Sequence, residues 1–150
     1  MGHTFSKILL HVVFSTNGRR NFLYKDMRER LLAYLCGIAR RMETDAVKAA
    51  AVDDHVHLLI KVGPTHSASD VVGKLKANSS RWVRKTFPRL ADFEWQSGFA
   101  VFSVSQSASA DVVDYLENQE VRHRRAPFEK ELKALLEKHG IEFDPGHYLD

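Results

Sequence analysis

The 150-residue chain predicts an α+β fold, a ferredoxin-like antiparallel sheet in βαββαβ order with its helices on one face and additional helices at the C-terminus. Three observations carry that expectation. Apolar runs with strand character occupy residues 5–16, 46–53, 55–62 and 99–105, and amphipathic stretches of helical period lie between the first and second and between the third and fourth. Two more helical stretches follow the last strand and form an extension over about residues 107–150. The length suits one domain, taken as 1–150.

In the first run, FSKILLHVVFST, alternation puts Ile8, Leu10, Val12 and Phe14 on one face and Lys7, Leu9, His11 and Val13 on the other, before Asn17-Gly18 breaks it. Over residues 24–42, Met27, Leu31, Leu32, Tyr34, Leu35, Ile38 and Ala39 recur at helical spacing. Residues 46–53 and HVHLLIKV at 55–62 read as a hairpin around Asp53-Asp54. Gly63-Pro64 ends it, and Ser67 or Ser69 caps a helix that runs to Phe87 with Val71, Leu75 and Trp82 as its core stripe. After the strand FAVFSVS, the hydroxyls of Ser107 and Ser109 and the early acid Asp111 open a helix expected to continue to about Arg124. Pro127 separates it from a charged helix over Phe128–Lys138, which Gly140 ends.

Composition is that of an ordinary globular protein, 44% hydrophobic and 27% charged, with no apolar run long enough to cross a bilayer. The N-terminal MGHTFSKILLHVVFS has neither a basic leader nor a small-residue cleavage site, so a cytoplasmic protein with no membrane partner is expected. The single cysteine, Cys36, excludes an internal disulfide and reads as a buried helical thiol. Net charge is +3 with a pI of about 9.1, which leans toward an anionic partner. Lys74, Lys76, Arg81, Arg84 and Lys85 on or beside one helix, and Arg122, Arg124 and Arg125 after another, are candidate phosphate contacts. Trp82 and Trp95 could stack on splayed bases, although Trp82 also fits the core stripe.

The stretch DDHVHLLI carries the chemistry. His55 and His57, two apart on a strand, project to one face and form half of a metal site, although His-x-His also occurs on ordinary strands. His11 could neighbour them or be a structural histidine. In DYLENQEVRHRR, Tyr115 and Gln119 stand one helical turn apart, with Arg122 and His123 continuing that side and Val112, Val113 and Leu116 forming the buried stripe. If that helix crosses the histidine face, the Gln119 amide oxygen completes a ligand set for a divalent ion. Tyr115 would then attack a phosphate that the ion polarises. Tyr115 taken alone also reads as a half-buried aromatic with a polar tip.

At these residues the sequence resembles the single-tyrosine transposases of small insertion sequences, members of the HUH endonucleases. His55-Val56-His57 matches the His-hydrophobe-His motif, Asp54 precedes it, and Tyr115 with Gln119 matches the Tyr-x-x-x-Gln of the nucleophile helix. HVVFSTNGR, LKANSSRW and WQSGFAVFSVSQS extend the resemblance over nearly the whole chain, and the tail FEKELKALLEKHGIEFDPGHYL is most similar to the branch associated with repetitive extragenic palindromes. The resemblance implies a protein that binds single-stranded DNA beside an imperfect hairpin and cuts it with Mg²⁺ or Mn²⁺ held by His55, His57 and Gln119. Tyr115 would be joined to the 5′ phosphate, and the freed 3′ hydroxyl would attack a second junction. It also implies a homodimer in which one subunit's tyrosine helix can serve the other's histidines. Phe99, where a tyrosine is common, and Asp53 before DHVH depart from the pattern without removing a catalytic group. The competing readings are a noncatalytic single-strand-binding module, which needs no metal, and a metal-dependent hydrolase without a covalent step.

Overall fold

Alternation in the first, third and fourth runs produces strands with two differently dressed faces, and the fold follows from where each face goes. In the computed structural model, which describes residues 2–150, the strands are β1 (Ile8–Ser15), β2 (Asp45–Ala51), β3 (His55–Val62) and β4 (Ala100–Val104). They form one antiparallel sheet in the order β2-β3-β1-β4, as expected of a ferredoxin-like βαββαβ chain. The two crossover helices are α1 (Lys25–Arg41) and α2 (Ala68–Thr86). Val12, Phe14, Val56, Leu58 and Ile60 point to these helices and pack with Met27, Leu31, Leu35, Val71 and Leu75 in the main core. Each such fully buried side chain stabilises the fold by roughly 1.5–3 kcal/mol relative to exposure.

Local signals set the boundaries. Gly18, at φ +66, turns the chain directly after β1, a conformation that costs glycine little. Ser67 caps α2 by accepting a hydrogen bond from the Asp70 N–H at 3.1 Å. The β2–β3 hairpin is tied to its surroundings by carbonyls that accept from neighbours, Asp53 from the Leu23 N–H and Asp54 from the Thr16 N–H.

Three sequence expectations need correction. Trp82 is only half buried and stacks on Tyr34 at the rim, with centroids 4.5 Å apart, while Ser79 and Val83 fill the α2 stripe. Trp95 is buried, edge-on to Phe14 and Phe93, and its indole N–H donates to the Ser79 hydroxyl at 2.8 Å, so it is not available to stack on bases. Cys36 is half buried rather than buried, and burial pushes its thiol up from the usual range.

The helix expected over residues 107–124 is divided. It forms α3 (Ser109–Glu117) and α4 (Gln119–His123), parted at Asn118, whose side-chain amide and backbone N–H both donate to the Asp114 carbonyl, at 2.8 and 3.2 Å. The last helix, α5, spans Phe128–Lys138, and Gly140 at φ +65 ends it. These three helices cover the sheet face opposite α1 and α2. Leu116 of α3 packs on Leu9 and Leu59, and Phe128, Leu132, Leu135 and Leu136 of α5 pack on Val13 and Phe102. That face carries the histidines.

Candidate metal and nucleophile site

Strand geometry supplies the first two groups. His55 and His57 point to the α3–α5 side and are 0% and 1% exposed. His57 lies opposite Val13 in the register, which brings the neighbouring β1 side chain His11 within 2.8 Å, Nε2 to Nδ1. His55 Nδ1 is 2.7 Å from Asp54 Oδ1, so its proton lies there and its Nε2 points inward.

The C-terminal helices supply the rest. Glu131 falls within the apolar stripe of α5, and the packing of Phe128, Leu132 and Leu135 on the sheet drives its carboxylate inward to 8% side-chain exposure. Glu131 Oε1 lies 3.0 Å from His57 Nε2, 3.0 Å from His123 Nε2 and 3.1 Å from His55 Nε2. Its other oxygen, Oε2, accepts from the Gln119 amide at 3.0 Å and from the Tyr115 hydroxyl. The Gln119 amide oxygen is 3.0 Å from His123 Nε2. His55, His57, His123 and Glu131 each offer one ligand atom, all within 4.8 Å of one another, a grouping able to hold a metal ion.

Burial and charge explain the protonation states. Burial alone would raise the Glu131 carboxyl, but the imidazoles of His123, His55 and His57 hold it well below the usual range, so it is an anion. Burial, then the Glu131 charge, push the Tyr115 hydroxyl well above its ordinary value, so the resting side chain is a phenol. Burial lowers His57, whereas His55, between Asp54 and Glu131, is raised despite burial. His11 is lowered to about 3 by burial and by His57, and is neutral near pH 7.

The residues fit a divalent ion by two observations. His55 Nε2 is a buried polar atom without a hydrogen bond, because its 3.1 Å approach to Glu131 is misaligned. The donor set, imidazole nitrogens with a carboxylate oxygen, is one that divalent transition metals accept.

The structure brings together four residues singled out in the sequence, His55, His57, Tyr115 and Gln119. It places His11 against His57, as one of the two readings of that residue had it, and adds His123, Glu131 and, behind His55, the Asp54 carboxylate. Glu131 was missed because α5 reads as a solvated charged helix, although an acid at an apolar stripe position between Phe128 and Leu135 was the available signal. Arg122 belongs to the site, its guanidinium 4.3 Å from the Tyr115 ring centroid. A cleft of about 600 Å³ beside them is lined by His11, Tyr115, Arg122, Lys138 and His139.

Lys74, Lys76, Arg81 and Arg84 are elsewhere, on α2 across the sheet. Lys74 and Arg81 are exposed. Lys76 donates to the Ser97 and Gly98 carbonyls, and Arg84 donates to the Phe93 carbonyl. Lys76 and Arg84 border a groove of about 520 Å³ that also includes Phe99. Asp53 pairs with Arg28 and so serves the α1–hairpin junction.

Comparison with known proteins gives consistent results. The family described as "Transposase IS200 like" matches residues 4–119. The transposases for insertion sequence element IS200 of Salmonella typhimurium and of Salmonella typhi are each 27% identical over 125 residues, covering 79% of this chain and 81% of theirs. Among solved structures, a protein of Deinococcus radiodurans R1 described as a transposase candidate is 29% identical, with a TM-score of 0.66, over 79% of this chain and 96% of that one. A REP-associated tyrosine transposase bound to a REP hairpin is 15% identical, with a TM-score of 0.61 over 82% of this chain and 73% of that one, and shares the fold.

Proposed function

The chain belongs to the IS200-like transposase family, and from that premise we propose that it cuts and rejoins single-stranded DNA beside hairpins through a covalent bond to Tyr115. The observation that carries this reading is the shared carboxylate: Glu131 touches both the Tyr115 hydroxyl and the His55–His57 pair. A nucleophile and a cation-binding cluster of the same chain thus converge on one point.

His55 and His57, with an oxygen donor from the Gln119–Glu131 pair, would hold Mg²⁺ or Mn²⁺. When bound, the ion neutralises and polarises the scissile phosphate. The rest follows from the protein's own groups. Arg122, stacked on the Tyr115 ring at the cleft, draws the phosphate to the hydroxyl. Tyr115 Oη, oriented by its hydrogen bond to Glu131 Oε2, attacks phosphorus as its proton passes to solvent. The bond to the 3′ oxygen breaks, that oxygen leaves as a hydroxyl after taking a proton, and the 5′ phosphate remains on the tyrosine. The reverse attack by a second 3′ hydroxyl rejoins a strand and frees Tyr115, so no nucleotide cofactor is consumed. Within one chain the side chains this cleavage needs already lie together, and the proposed homodimer would bring two such sites to two DNA ends.

The test is a labelled hairpin-bearing single strand incubated with Mn²⁺ and resolved under denaturing conditions. Tyr115→Phe should retain DNA binding and yield no adduct, with at least a 100-fold loss of cleavage. An adduct of undiminished yield in that variant would remove Tyr115 from the reaction. Cleavage without an adduct would favour the hydrolase reading.

A further inference from the structure

The motif shared with the family ends at Gln119, yet the oxygen that faces the Nε2 atoms of both His55 and His57 belongs to α5. We propose that Glu131 is the anionic ligand of the ion, completing a two-histidine, one-carboxylate set with His55 and His57, and that Gln119 and His123 act by orienting it. The inference rests on the metal-dependent reading above.

Hydrogen-bond accounting leads to this assignment. Asp54 accepts the Nδ1–H of His55, so in the neutral ring Nε2 offers a lone pair toward an ionised oxygen 3.1 Å away, with no hydrogen bond between them. Two electron-rich atoms held together in a buried site require a positive charge between them, either a proton or a cation. His57 Nε2 lies 3.0 Å from the same oxygen and presents a lone pair to it when its Nδ1–H donates to His11 Nε2, 2.8 Å away.

The other two groups behave differently. His123 Nε2 is 3.0 Å from two acceptors, Glu131 Oε1 and Gln119 Oε1, which assigns a proton to it and makes it a donor. The Gln119 amide is committed at both ends, its oxygen to His123 and its nitrogen to Glu131 Oε2. Together they pin the carboxylate in one orientation, as outer groups do for metal-ligating carboxylates. Oε1 would hold the ion while Oε2 accepts from Tyr115, so one carboxylate would serve both the cation and the nucleophile. A set of two imidazoles and a carboxylate favours Mn²⁺ over Mg²⁺, which prefers all-oxygen surroundings.

The experiment measures metal binding by the full chain without DNA. Mn²⁺ titrations followed by electron paramagnetic resonance should show Glu131→Gln weakened more than 100-fold and Gln119→Leu about tenfold or less, with circular dichroism confirming that both are folded. A second variant removes dependence on loss alone. Glu131→Cys should bind Co²⁺ with a thiolate-to-cobalt charge-transfer band that the parent, which retains Cys36, does not show. Glu131→Gln binding Mn²⁺ within threefold of the parent would overturn the assignment. So would Gln119→Leu losing more than Glu131→Gln, or Glu131→Cys taking up Co²⁺ without the band. If the parent binds neither Mn²⁺ nor Co²⁺, the metal-dependent reading itself falls, a result distinct from these.

Discussion

His11 shows how one residue can serve a site it does not enter. Its ring sits between Phe102 and Tyr115 and hydrogen-bonds His57, and burial lowers it to about 3 from an ordinary 6.5. His57 is lowered in the same direction, while His55 is raised. Between pH 6.5 and 3 the unfolded chain therefore binds a proton at position 11 that the folded chain refuses. Stability must rise with pH across that window and be lost on acidification. The lowered His57 contributes with the same sign and the raised His55 with the opposite sign. In chelator, urea unfolding should show a loss of about 1 kcal/mol between pH 7 and pH 5.5, and the His11 ring protons should not titrate by NMR over that range. A midpoint that climbs on acidification would refute the assignment of His11 as a buried neutral acceptor.

At the scale of elements, the C-terminal helix α5 converts packing into chemistry. Leu132 is one residue from Glu131 and is buried with Val13 and Phe102, so the apolar stripe positions the carboxylate. Leu132→Ala should cost about 2–5 kcal/mol of stability, the usual range for a buried leucine. It should also weaken Mn²⁺ binding more than Leu31→Ala does in the opposite core, where Leu31 is equally buried but packs α1 against the far face of the sheet. Equal Mn²⁺ affinities in the two variants, measured well below their melting temperatures, would separate α5 packing from the site. The α5 boundaries were legible because Pro127 and Gly140 bracket a clean apolar period, and the β3 histidines were legible because a period of two fixes which side chains share a face. Glu131 was not, since a glutamate in a charged helix declares its burial only when the helix is known to dock. The break at Asn118 was equally hidden, because nothing in the hydrophobic period marks it.

Across the whole molecule the sheet is a partition. The histidines, Tyr115, Glu131 and Arg122 lie on the α3–α5 side, and the cations of α2 lie on the other. Sequence could group basic residues along a helix but not show which face of the sheet that helix covers, and so the α2 and Arg122 candidates separate in the structure. Their roles should separate as well. A strand long enough to carry a hairpin can reach past the sheet edge, so exposed Lys74 and Arg81 would contribute affinity and no chemistry. Removing both by alanine substitution should lower the slope of log binding constant against log salt by about 1.4, two phosphate contacts at roughly 0.7 each for single strands. Mn²⁺ affinity should be untouched, and adduct yield at saturating DNA should stay the same. Arg122→Ala should do the reverse, cutting adduct yield at saturation because its guanidinium sits over the nucleophile's ring. If the Lys74, Arg81 double variant keeps the parent's salt slope, the DNA runs on the histidine face alone, and the groove beside Lys76, Arg84 and Phe99 serves something other than the substrate strand.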